Sequence, residues 1–135
     1  MRQPERRFIN QFVEVVSKQY RTAFFYKIAD GYRTGNKPFD CILDNGRVFY
    51  LEFKYLPKNR KSFSVRSIFK PHQVRILTKL HELYQDQQYS PAWGVLKKDE
   101  TVYLIPATQL QHQRIMLQDL QAFSLKEVVD FFCKN

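Results

Sequence analysis

The segment from Lys37 to Pro57, KPFDCILDNGRVFYLEFKYLP, constrains the fold more than any other part of the chain. Two runs rich in β-branched and aromatic residues flank an Asn-Gly pair, which is typical of a β-hairpin turn. Three charged residues, Asp40, Glu52 and Lys54, nevertheless fall within strands whose other residues suggest burial. Because an unpaired buried charge is costly, this hairpin indicates a polar site built into a sheet.

The length of the turn decides whether Asp40 joins the other two charges. Glu52 and Lys54 share one face of their strand, since side chains alternate along it. A two-residue turn at the Asn-Gly pair would pair Asp40 with Leu51 and send it to the opposite face. A loop of three residues, or a bulge of equal effect, would return Asp40 to the face of Glu52 and Lys54, and we predict this arrangement.

The three-residue loop expected here is 44–46, with Gly46 in the left-handed position of a bulge. It pairs Leu43 with Arg47 and Asp40 with Tyr50. Asp40 is then diagonal to Glu52, at roughly 7 to 8 Å between backbones. At this separation two carboxylates can share an ion.

Two carboxylates that converge on a partly buried face repel each other unless a cation or a proton lies between them. Oxygen ligands with room for water suit Mg²⁺ or Mn²⁺. A neighbouring lysine can hold a water or balance the charge that develops on a phosphate. The alternative is that Glu52 and Lys54 form an exposed strand face and that Asp40 only begins a strand after Pro38.

The length of 135 residues and a hydrophobic content of 44% predict one folded domain, 1–135. No apolar run is long enough to span a membrane, and the first residues do not resemble a signal peptide, so a soluble cytoplasmic protein without a membrane partner is expected. Cys41 and Cys133 are expected to be reduced thiols. Trp93 and the Phe residues are expected in the core.

The net charge of +9 makes nucleic acid the first partner to consider. No acidic residue occurs between Phe53 and His81, where basic residues accumulate. A solvated face on a basic protein is the alternative. The residues predicted to contact nucleic acid are Lys58, Arg60, Lys61, Arg66, Lys70 and His72, the last through its place at a helix start.

The periodicity predicts a mixed α/β fold in which helices flank a central mixed sheet. A helix is expected over 4–20, strands near 22–29 and on both sides of the Asn-Gly turn, and a short extended piece around 63–65. A helix from Pro71 places Gln73 on its apolar face. A second hairpin turns at Asp99 and Glu100, and Ser124 with Glu127 has capping-box spacing for a last helix.

Pro38-Phe39-Asp40 and Glu52-Phe53-Lys54 resemble the signature of the PD-(D/E)xK nucleases, with the Pro one place earlier than in that signature. In this family an Asp opens one core strand and an ExK tripeptide lies on the next. The likeness is greatest to Holliday junction resolvases of the RecU type. Three further segments are similar to that family in the same order: PERRFINQF, KSFSVRSIFKPHQVRILTKL and AWGVLKKDETVYLIPATQL. The resemblance covers most of the chain and implies a restriction-endonuclease-like core.

Carried over by position, the resemblance implies that Asp40 and Glu52 bind Mg²⁺ or Mn²⁺ with help from the Phe53 carbonyl. Lys54 would orient the attacking water. Gln73 matches the Gln that supports the catalytic site. Glu5, which also falls on the apolar stripe of the first helix, matches an early helix Glu; the alternative is a first-turn charge favoured by the helix dipole.

These features predict a Mg²⁺-dependent endodeoxyribonuclease that resolves branched DNA in recombination and repair. A homodimer is expected, since symmetric cutting of a junction needs two sites. The alternatives are a nuclease of the same superfamily acting in repair, restriction or mobile-element processing, and a DNA-binding module that does not cut. The segment before Asp40 is short where the family carries a stalk that enters the junction, so junction specificity is in question; Asp30 and Gly31 are expected to form a turn.

Overall fold

A computed structural model describes residues 3–29, 37–85 and 89–134 of the chain, so the turn expected at Asp30-Gly31 lies outside it. The described residues form four α-helices: Gln3–Gln19 (α1), Val65–Ile68 (α2), Pro71–Tyr84 (α3) and Leu125–Cys133 (α4). Their eight strands are Phe24–Lys27 (β1), Cys41–Asp44 (β2), Val48–Tyr55 (β3), Ser62–Ser64 (β4), Ala92–Lys98 (β5), Thr101–Pro106 (β6), Arg114–Met116 (β7) and Ala122–Phe123 (β8). Two 3₁₀-helices follow β6 and β7, at Ala107–Gln111 and Leu117–Asp119.

Six strands form a central mixed sheet in the order β1-β2-β3-β5-β6-β8. Strands β3 and β5 are parallel, and the other neighbours are antiparallel. Strands β4 and β7 form a separate antiparallel pair, of which the sequence predicted only the first strand, in part. The mixed α/β architecture with a central sheet flanked by helices is confirmed.

Each face of the sheet has its own hydrophobic core. On one face α1 and α4 pack against the sheet, and Phe53 contacts the rings of Phe8 and Phe12 at centroid distances of 5.1 Å each. On the other face the core includes Leu77 of α3 and Phe63 of β4. This second face carries Glu52 and Lys54 of the hairpin. Helix α3 packs over these side chains, and its Gln73 contacts Glu52.

The hairpin between β2 and β3 has a three-residue loop, as predicted, but at 45–47 and not at 44–46. Asp44 pairs with Val48 and Leu43 with Phe49, so the predicted pairing of Leu43 with Arg47 is wrong. The observed register places two fully or nearly buried side chains, Leu43 and Phe49, opposite each other in the core. Cross-strand apolar pairs of this kind stabilise one register over another.

The loop itself is held by side chains that the local pattern does not reveal. Gly46 has the expected positive φ, 97°, and its N–H donates to Asp44 Oδ1 over 3.0 Å. The Asn45 amide donates to the carbonyl of Cys133 over 2.7 Å, which ties the loop to the end of α4. This contact spans 88 positions of sequence and favours Asn45 inside the loop.

Several other sequence predictions are confirmed. Gln73 is buried, and Ser124 and Glu127 form the capping box of α4 through reciprocal hydrogen bonds. Cys41 and Cys133 are free, buried thiols. Among the described residues, no helix has the length and apolar character needed to cross a membrane. The expectation that the Phe residues are in the core is wrong for Phe24, which is 57% exposed on the edge strand, and for Phe131 of α4, which is 44% exposed.

Candidate active site

Four polar side chains are buried close to strand β3. Asp40, Glu52, Lys54 and Gln73 have relative exposures of 4%, 2%, 7% and 5%. Charged side chains are rarely buried to this degree unless they are paired. The four residues define the polar cluster of this protein, and the sequence predicted all four.

Asp40 precedes β2, and its N–H donates to the carbonyl of Leu51, the residue that also pairs with Cys41. Asp40 and Cys41 therefore both face Leu51, as in a β-bulge. The predicted pairing of Asp40 with Tyr50 is wrong, because Tyr50 pairs with Ile42. Asp40 nevertheless lies close to Glu52, since its Oδ2 accepts from the N–H of the next residue, Phe53. The two carboxylates are near enough for the charge of Asp40 to raise the pKa of Glu52.

Backbone groups and one ammonium group hold Asp40 in place. Its N–H donates to the carbonyl of Leu51 over 2.9 Å, and its carbonyl accepts from Ile28 over 2.8 Å. Its Oδ2 accepts from the Phe53 N–H over 2.6 Å, and its Oδ1 forms an ion pair with Lys37 Nζ at 2.8 Å. The carboxylate is thus fixed on both oxygens.

Glu52 has one oxygen with two donors and one with none. Its Oε2 accepts from Gln73 Nε2 over 2.9 Å and forms an ion pair with Lys54 Nζ at 3.0 Å. Its Oε1 is buried and lacks a hydrogen-bond partner among the described residues. Gln73 is held in turn by the first turn of α3, because its Oε1 accepts from the Lys70 N–H over 3.0 Å.

The pKa of Glu52 is raised from its ordinary value of 4.5 to about 8. Burial is the largest cause, and the negative charge of Asp40 is the second. Lys54 lowers this pKa by its charge and hydrogen bond but does not offset burial. At neutral pH and without a cation, Glu52 is therefore mostly protonated.

These features fit a divalent cation held by oxygen ligands. Asp40 and Glu52 lie close together, and Glu52 Oε1 lacks a partner in the described part of the chain. The Phe53 carbonyl leaves β3 on the same edge as the N–H that contacts Asp40. Two carboxylates, a carbonyl and water are suitable ligands for Mg²⁺ or Mn²⁺. Within the described ranges, no set of three His, Cys, Asp or Glu side chains is placed to hold a metal, so Glu5 does not complete such a set. Glu5 is half-buried in the first turn of α1, and its catalytic role stays a prediction.

The ring of Phe69 contacts the ammonium group of Lys54, and the missing side chain of Gly94 leaves space for this ring. The Lys54 ammonium lies 5.6 Å from the centre of the Phe69 ring, a cation–π arrangement. Gly94 pairs with Glu52 in the parallel register of β3 and β5. A Cβ added at Gly94 would be 2.8 Å from Phe69 Cζ, so the ring can keep its place only beside a glycine.

Gly94→Ala is expected to lower the free energy of unfolding by about 1–3 kcal/mol, because the buried Phe69 ring has to move. The same movement should displace Lys54 and slow any reaction at the polar cluster. Urea unfolding at fixed pH measures the first effect. The double variant Gly94→Ala/Phe69→Leu is the control, since a smaller side chain at 69 should restore part of the stability. A Gly94→Ala variant as stable as the wild type would contradict this packing.

The predicted nucleic-acid residues lie around the β4 and α3 side of the molecule. Five of them are solvent-exposed: Lys58, Arg60, Lys61, Arg66 and Lys70. His72 is half-buried, and its Nε2 donates to the carbonyl of Lys37 over 3.1 Å, so it contacts the segment that leads to Asp40. Arg114 adds a further cation, because its guanidinium donates to Ser62 Oγ beside Lys61.

Replacing Lys58, Arg60 and Lys61 with Ala is expected to weaken DNA binding and to reduce its salt dependence. Each lost phosphate contact lowers the slope of log K against log salt by about one, so the slope should fall by about three. Fluorescence anisotropy at several salt concentrations measures it. The matched control removes three exposed charges on the side of α1 and α4: Arg21 just after α1, Lys126 in α4 and Lys134 just after α4. Equal losses in both variants would contradict a localised interface.

Sequence reasoning missed Lys37 and Arg114. Lys37 precedes Asp40 by only three positions, a spacing at which an ion pair could have been considered. Only the structure shows that its ammonium group reaches the carboxylate. Arg114 lies far along the chain from the acid-free segment and joins it through the pairing of β4 with β7. Comparison with protein-family models and with curated proteins finds no match for this chain.

Proposed function

We propose that this protein is a metal-dependent endonuclease with a restriction-endonuclease-like core that hydrolyses phosphodiester bonds in branched DNA. One observation carries this proposal: two buried carboxylates, Asp40 and Glu52, lie close enough to interact, and one oxygen of Glu52 has no partner among the described residues. Such a pair needs a proton or a cation, and a binding module has no need for buried acid within a basic surface. The resemblance to RecU-type resolvases supports the choice of substrate.

In the proposed reaction Asp40, Glu52 and the Phe53 carbonyl hold Mg²⁺ or Mn²⁺. When bound, the ion supplies Lewis acidity and lowers the pKa of a coordinated water. Lys54 would orient the attacking water and balance charge on the phosphate, and the position of its ammonium group 3.0 Å from Glu52 Oε2 supports this role. Gln73 positions Glu52 by donating to the same oxygen.

The experiment compares three DNA substrates under two conditions. Labelled four-way junction, flap and linear duplex are each incubated with the protein, in Mg²⁺ or in EDTA. Cleavage of the junction in Mg²⁺ and no cleavage in EDTA is the expected result. Preferred cleavage of flap or duplex would support a nuclease with another substrate, and metal-independent binding without cutting would exclude a nuclease.

Junction cutting also predicts two copies of the site. Symmetric incision of both strands needs two active sites related by a two-fold axis, so we propose a homodimer. Light scattering of the protein with and without junction measures the mass of the complex. A single protomer bound to a junction that it cuts symmetrically would contradict the dimer.

A further inference from the structure

A cavity lies beside Asp40, which is one of its lining residues. It has a volume of about 370 Å³ and is lined by residues of α1 and β1 and by the segment that enters β2. Three cationic side chains line it, Arg6, Lys27 and Lys37, together with the amide of Asn10. A cavity of this charge and size can hold a phosphate group.

Lys37 connects this cavity with the polar cluster. Its ammonium group lies 2.8 Å from Asp40 Oδ1, and the two side chains are 10% and 3% exposed. Asp40 Oδ2 accepts from a backbone donor, the Phe53 N–H, whereas Oδ1 is held by the side chain of Lys37. Oδ1 is therefore the oxygen whose partner can be exchanged without movement of the backbone. A cation that binds between Asp40 and Glu52 meets the positive charge of Lys37 at this oxygen.

The backbone of Lys37 is held while its side chain can change place. The His72 ring donates to the Lys37 carbonyl over 3.1 Å, which links this residue to the first turn of α3. The lysine side chain is a flexible four-carbon stem, so the ammonium group can move several ångströms without movement of the backbone. The cavity lies within that reach, because Lys37 already lines it.

We propose that Lys37 is an exchangeable counter-ion of Asp40, which occupies Oδ1 in the metal-free protein, gives way to the divalent cation, and then binds a phosphate of the nucleic-acid strand in the adjacent cavity. This inference rests on the proposed metal-dependent nuclease. It adds a positioning residue to the site and assigns the cavity to a phosphate next to the cleaved one. Lys37 would thus neutralise Asp40 before the metal is present and the substrate afterwards.

The test measures Mn²⁺ binding by calorimetry, without DNA, for the wild type and three variants. Lys37→Met keeps the length of the side chain and removes the charge, so it should bind Mn²⁺ about tenfold more tightly, a usual size for coupling between two sites. Lys37→Arg keeps the charge and should bind Mn²⁺ as weakly as the wild type. Lys27→Met is the matched control: it removes one charge from the same cavity, but Lys27 contacts Asn10 and not a carboxylate, so the Mn²⁺ affinity should stay unchanged.

Two further measurements complete the test. Thermal unfolding in EDTA verifies that each variant is folded, and Lys37→Met should be less stable there but gain more from Mn²⁺ than the wild type. At saturating Mn²⁺, Lys37→Met should raise KM for DNA several-fold, because the phosphate contact is lost. Unchanged or weaker Mn²⁺ binding by Lys37→Met overturns the exchange, and an unchanged KM overturns the phosphate contact. If the wild type itself neither binds Mn²⁺ nor cuts DNA, the proposed function fails and takes this inference with it.

Discussion

Replacing Asp40 with Asn is expected to abolish DNA cleavage and to leave DNA binding intact or improved. Asp40 is one of the two buried carboxylates proposed to hold the metal, and an amide is a poor substitute for it. We expect a loss of roughly a hundredfold to a thousandfold in cleavage rate, the range found when one electrostatic group is removed from an active site. Binding should persist because the change removes negative charge from a basic surface.

The amide cannot satisfy both neighbours of Asp40. If its oxygen accepts from the Phe53 N–H, its NH₂ group faces the Lys37 ammonium, and the reverse orientation places NH₂ against the N–H. Lys37 is therefore expected to leave residue 40, with a modest loss of stability. The pKa of Glu52 should fall in this variant, since the charge of Asp40 is the second cause of its increase.

Asp44→Asn is the matched control for this change. Asp44 ends β2, four residues from Asp40, and its Oδ1 accepts from the Gly46 N–H, a contact that Asn can keep. This variant should cut DNA at the wild-type rate. Cleavage is measured in single-turnover reactions and binding by anisotropy. Full activity of Asp40→Asn, or equal losses in both variants, would remove Asp40 from the site.

The shared face of Glu52 and Lys54 could be predicted from the sequence, but the register of the hairpin could not. Side chains alternate along β3 whichever residues form the loop. Asp40, in contrast, precedes β2 and bonds to Leu51 outside the register of the two strands. The choice between loops depends on distant contacts: Leu43 against Phe49 in the core, and Asn45 against the carbonyl of Cys133. Local patterns carry no information on such contacts.

Gln73 was predictable because helical periodicity and burial agree at this position. Lys37 and Arg114 were not, because each reaches its partner through the tertiary fold. The same limit applies to Phe24. Its aromatic side chain predicts burial, but its strand lies at the edge of the sheet and leaves it exposed. Sequence patterns therefore identify the four residues of the polar cluster but not the two cations Lys37 and Arg114.

Glu52→Gln is expected to make the metal-free protein more stable than the wild type at high pH. The pKa of Glu52 is about 8 in the folded protein and near its ordinary value of 4.5 in the unfolded chain, so the folded state binds this proton more tightly. The stability from this site is complete below about pH 4.5 and is lost as the pH rises through 8. The wild type should lose up to about 1.4 kcal/mol per pH unit relative to the variant in this window. Urea unfolding in EDTA at pH 5, 7 and 9 measures the difference.

Magnesium should reverse this order at high pH, because a cation favours the ionised form of Glu52 and binds only the folded wild type. Glu52→Gln keeps an acceptor for Lys54 and Gln73 but loses the second carboxylate, so it should gain little from Mg²⁺. Glu14→Gln is the control, since Glu14 lies in an exposed ion pair with Lys18 and its pKa is lowered, the opposite sign. If the wild type and Glu52→Gln unfold with the same pH dependence, folding does not raise the pKa of Glu52. This buried carboxylate would then not need a cation. If Glu52→Gln is the more stable protein in EDTA and the wild type is the more stable one in Mg²⁺, the buried carboxylate is the group that the metal stabilises.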